Sequence, residues 1–104
     1  MAGSYEVRGP LPTSLSIGRL DDPRLRLTAP IPVRVEEDGL GNVVLWSDDL
    51  DEFGVGETLD AAMDDFRSTV VALYFLLRED EARLGPGPRG HWEFARRVMT
   101  DEPR

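Results

Sequence analysis

The stretch Phe53–Glu79, FGVGETLDAAMDDFRSTVVALYFLLRE, decides the fold. Leu59, Met63, Phe66, Val70, Leu73 and Leu77 recur at spacings of 4, 3, 4, 3 and 4, which places them along one face of a helix. Gly54 and Gly56 bracket Val55 and permit the backbone angles of a sharp strand-to-helix turn. Thr58 can offer its hydroxyl to the free first-turn amides, and Asp60 complements the helix dipole. The helix is predicted from about Leu59 to about Arg83, where Leu84-Gly85-Pro86-Gly87-Pro88 stops it.

Everything upstream reads as short strands that need this helix as a lid. From Leu25, the residues Leu25, Leu27, Ala29, Ile31, Val33 and Val35 occupy every second position, with Arg24, Arg26, Thr28, Arg34 and Glu36 between them. That period of two sets an apolar face against a core and a charged face in water. Pro30 and Pro32 cannot donate to a ladder, so the strand is broken there or lies at an edge. Glu37-Asp38-Gly39-Leu40-Gly41-Asn42 is a reversal, and residues 31–37 and 42–47 together predict a β-hairpin. Ser47–Glu52 is an acidic loop, or the start of a third strand leading to Phe53 and Val55.

Residues 1–22 form an N-terminal arm or one or two short strands, in which Tyr5 and Val7, and later Leu15 and Ile17, alternate with polar residues. A single domain over residues 23–104 follows, ending in a short helix marked by Trp92, Ala95, Val98 and Met99. The expected class is α+β: a three- or four-stranded antiparallel sheet packed against one long helix, with a short C-terminal helix.

Composition narrows the chemistry. Twelve basic residues, all arginine, stand against 20 acids, a balance of 12 − 20 = −8. Such a charge disfavours direct contact with a phosphate backbone and suits a basic protein partner. The absence of cysteine removes disulfides, thiol nucleophiles and zinc–thiolate sites, and the lone His91 removes any multi-histidine metal site. No apolar run approaches the roughly 18 residues of a membrane span, and MAGSYEVRG lacks a secretory apolar core. A soluble cytoplasmic protein without cofactor is the expectation.

Two groups of residues invite a functional reading. Asp48, Asp49, Asp51 and Glu52 form an acidic cluster that, with the hairpin edge, is suited to a basic partner. Asp49 and Asp51 with Gly54, Glu57 and Asp60 track positions 1, 3, 6, 9 and 12 of a calcium loop, but Phe53 breaks the ligand pattern at its fifth position. The apolar breadth of the long helix at Val71, Tyr74 and Phe75, together with Trp92, reads as an oligomer interface. The alternative is that the C-terminal helix folds back over those residues. Trp46 and Trp92 read as core or interface anchors, and His91 as a surface or capping residue.

The hairpin PIPVRVEEDG (Pro30–Gly39) with NVVLW (Asn42–Trp46), followed by a helix entry with Gly54, Gly56, Thr58 and Ala62, resembles the HicB-like antitoxin domain and small bacterial proteins of the same fold. The resemblance spans about residues 24–84. It implies a β-β-β-α arrangement, dimers or tetramers, and neutralisation of a small basic RNA-cleaving toxin by direct binding, with no activity of its own. Full antitoxins append a DNA-binding module. The roughly 20 residues after the long helix are too few for one, so operator binding is not expected. Readings from other classes are a metal-dependent nuclease using Asp48, Asp49, Asp51 or Asp64, and a structural or ligand-sensing module with a ligand in the sheet–helix cleft.

Overall fold

A computed structural model describes residues 11–101. The expectation of a strand or arm at Tyr5 and Val7, and the last three residues of the tail, lie outside the described residues. The chain is α+β. Its strands are β1 (Ser14–Ile17), β2 (Arg26–Leu27), β3 (Ile31–Glu37), β4 (Val43–Ser47), β5 (Glu52–Gly56) and β6 (Met99–Thr100). A four-stranded antiparallel sheet in the order β1-β3-β4-β5 packs on one face against a 21-residue helix. A two-stranded ribbon joins β2 to β6.

The alternation read in the sequence sets the layers. Ile31, Val33 and Val35 of β3 are buried, while Pro32, Arg34 and Glu36 are exposed. The six-position run from Leu25 is nevertheless two strands. Leu27 pairs with Met99, and the chain then turns through Ala29 and Pro30 before Ile31 enters the main sheet. The described part of the N-terminal segment is a strand, with Leu15 opposite Val33 and Ile17 opposite Ile31. The β3–β4 reversal is held by Asp38, whose carboxylate accepts from the Leu40 and Asn42 amides and from the Asn42 side chain, while Gly39 and Gly41 take positive φ.

The long helix α1 (Leu59–Glu79) begins as read: the Thr58 hydroxyl accepts from the Ala61 amide at 3.1 Å. The glycines before it serve a close approach of helix to sheet and not unusual backbone angles. Neither Gly54 nor Gly56 has positive φ. A Cβ on Gly54 would stand 2.4 Å from the Phe66 nitrogen, and one on Gly56 2.5 Å from the Ala62 nitrogen. Their lack of a side chain lets α1 lie directly on β5. The buried stripe accordingly runs through Ala62, Phe66, Val70 and Leu77, with Leu59, Met63 and Leu73 only partly buried.

α1 ends at Glu79 rather than near Arg83, and residues Glu81–Arg83 form a turn of 3-10 helix. The Gly–Pro segment expected as a stop also starts the next helix, α2 (Pro86–Val98). Pro86 and Pro88 occupy the first turn, where a missing N–H breaks no helical bond. The end of α2 is tied to the ribbon, since Thr28 donates its amide to the Val98 carbonyl at 2.7 Å and its hydroxyl to the Arg97 carbonyl. No helix among the described residues is long and apolar enough to cross a membrane.

Candidate functional site

The helix covers one face of the sheet, and among the described residues the other face has no covering element. β4 is the reason this face is apolar. Val43, Leu45 and Ser47 point into the core, and the intervening Val44 and Trp46 point out, so the strand is hydrophobic on both sides. Register places Val55 opposite Val44 and Phe53 opposite Trp46. Phe53 is 47 % exposed and Val55 38 %, and the Trp46 and Phe53 rings lie 5.0 Å apart.

Charged groups edge this patch. Arg34 lies opposite Trp46 on β3, and its guanidinium sits 5.9 Å from the Trp46 ring centroid. It donates to both oxygens of Asp48, at 3.2 and 2.9 Å, and to Glu36 at 2.6 Å. That pairing holds the Asp48 carboxyl below its usual range, and the Arg34 guanidinium above its own. A shallow hollow of about 180 Å³ opens here, lined by Ser14, Pro32, Arg34, Trp46, Asp48 and Asp49.

The acidic turn that the sequence singled out borders this face. Leu50, 1 % exposed, plugs the turn into the core, and the buried Ser47 hydroxyl accepts from the Leu50 amide. That anchor leaves Asp48, Asp49 and Asp51 exposed, with Asp51 at φ 54°. Glu52 is separate: it lies opposite the buried Ser47, on the helix side of β5.

Of the residues read as an oligomer interface, Val71, Tyr74 and Trp92 are buried within the chain and Phe75 is partly buried. The C-terminal helix brings Trp92 back onto Tyr74, the two rings 5.1 Å apart, while Val71 and Phe75 line a hollow with Leu20, Asp22 and Arg24. Phe75 lies between Arg24 and Arg78, at 5.0 and 5.6 Å. Tyr74 donates to Asp101, which also pairs with Arg78. Burial pushes the Tyr74 hydroxyl above its ordinary value. Trp46, by contrast, anchors the open face and not the core.

The carboxylates of the nuclease reading are apart. Asp64 is on α1 and pairs with Arg67 at 3.0 Å, and among the described residues no three Asp, Glu or His side chains gather around one cation position. Asp65 accepts from the Val55 amide at 2.9 Å, capping a donor on the edge strand β5. The sheet–helix interface named as a ligand cleft is filled by Leu45, Phe66 and Val70, each fully buried. No site motif marks Arg34, Phe53 or Val55 in the sequence. Their signal was there in β4, whose Val-Val-Leu-Trp run is apolar at both alternating positions.

No protein-family model, curated protein or solved structure matches this chain. The likeness to HicB-like antitoxins therefore rests on the hairpin and on Gly54, Gly56, Thr58 and Ala62 alone.

Proposed function

We propose that this chain is a non-enzymatic cytoplasmic module that binds a basic protein through the open face of its sheet, in the manner of a HicB-like antitoxin neutralising a small basic RNA-cleaving toxin. One observation carries the reading: exposed Phe53 and Val55, with half-buried Val44 and Trp46, share the sheet face with Glu36, Asp48 and Asp49. An apolar centre with an acidic rim gives burial to hold a partner and charge to select a basic one. The acids of the turn steer the encounter, and Trp46 with Phe53 supplies the anchor. Self-association into a dimer or tetramer belongs to the same reading, through the exposed Leu76 side of α1.

The test is a calorimetric titration of the full chain with small basic proteins encoded beside its gene, with Phe53→Asp as the control. Wild type is expected to bind. Phe53→Asp is expected to lose at least about 2 kcal/mol of affinity, the scale of an interface anchor, while its melting temperature stays within a few degrees of wild type. Binding that survives Phe53→Asp unchanged, or no binding by wild type, overturns the reading.

A further inference from the structure

We infer that Trp46, Asp48 and Glu36 form a guanidinium socket beside the shallow hollow, that Arg34 occupies it in the free chain, and that an arginine of the basic partner replaces Arg34 on binding. The inference rests on the docking reading above and adds the group that the partner must present. Arg34 makes the contacts that distinguish arginine from lysine: a two-point pair with one carboxylate, a bond to a second, and a position over an indole face. An ammonium is a point charge and cannot span Asp48 while lying on Trp46.

The occupant is easily displaced. Arg34 and Glu36 are about half exposed and Asp48 74 % exposed, and such pairs hold weakly because water competes for both partners. A basic protein closing over the sheet would meet the Arg34 charge first. When Arg34 swings out, that repulsion is relieved and two carboxylates and the indole are freed for the incoming arginine. A second copy of this chain fits poorly there, because two faces each carrying Glu36, Asp48 and Asp49 bring like charges together.

Hexa-arginine and hexa-lysine peptides are titrated into wild type, Arg34→Ala and Arg83→Ala, following the Trp46 indole N–H resonance. Arg83 lies on the turn after α1, paired with Asp80, so its loss changes net charge equally without touching the socket. Wild type is expected to prefer hexa-arginine. Arg34→Ala is expected to bind it about fivefold more tightly than either wild type or Arg83→Ala, the size of one exposed pair. Three results each overturn the socket: Arg34→Ala no tighter than Arg83→Ala, no preference over hexa-lysine, or no shift at Trp46. A protein partner lost in Phe53→Asp but indifferent to Arg34→Ala keeps the docking face and removes the socket.

Discussion

At Gly54 a single hydrogen decides how closely the helix approaches the sheet. A methyl there would press on the backbone of Phe66, at 2.4 Å from its nitrogen and 2.6 Å from its Cα, and backbone cannot rotate away. Gly54→Ala is therefore expected to cost about 3 kcal/mol, the upper part of the range for overpacking. Gly90 is the useful contrast. It lies inside α2, a methyl on it would meet nothing within 4 Å, and its φ is not positive. Gly90→Ala should stabilise by about 0.5–1 kcal/mol by removing backbone freedom from the unfolded chain. Urea unfolding of both variants checks the pair, and a neutral Gly54→Ala would contradict the close contact.

At the scale of elements, α2 is what makes Tyr74 of α1 internal. Trp92 packs on Tyr74 with Ala95 and Val98 buried on the same helix, and the clasp of Asp101 with Tyr74 and Arg78 fastens the segment beyond α2. Trp92→Ala is expected to cost about 3–5 kcal/mol, as for other large aromatic truncations in a core. Trp92→Phe should cost far less than Trp92→Ala. The Trp92 indole N–H is buried without a hydrogen-bond partner among the described residues, so losing it relieves a desolvated donor. Thermal melts of the two variants separate packing from polarity. Equal losses would contradict the relief expected from removing an unpaired N–H.

For the whole molecule, charge sets the behaviour with pH. The carboxyls of Asp38, Asp48 and Asp22 are each held below their usual range, Asp38 by the Asn42 side chain and the Leu40 amide, Asp48 by Arg34, and Asp22 by Arg24. A carboxyl depressed in the folded state contributes stability that is complete above its unfolded value and is lost as pH falls through the folded one. The melting temperature should therefore hold through mildly acid solution and drop only below the ordinary carboxylate range. Calorimetry from neutral to strongly acid pH tests this, and Asp48→Asn should make the acid drop shallower. The effect is small for Asp48, whose exposure leaves the pair screened by solvent.

The local patterns determined the elements: a period of two in Ile31–Glu37, a reversal at Asp38–Gly41, a threonine cap and a helical stripe over Leu59–Leu77. These signals lie within single segments, so a reader of the sequence recovers an α+β hairpin-and-helix domain and the acidic turn that borders the candidate site. Only the tertiary structure decided what covers what. Tyr74 and Trp92 look equally suited to a partner chain or to each other, and the outcome depends on α2 returning to α1 from a distant part of the chain. β4 is apolar on both faces, and nothing local says which face the helix takes. Gly54 and Gly56 decide it, because they face the helix and admit its backbone, and that choice turns Trp46 and Phe53 outward to Arg34 and Asp48. Covering is a contact between segments far apart in sequence, and periodicity reports one segment at a time.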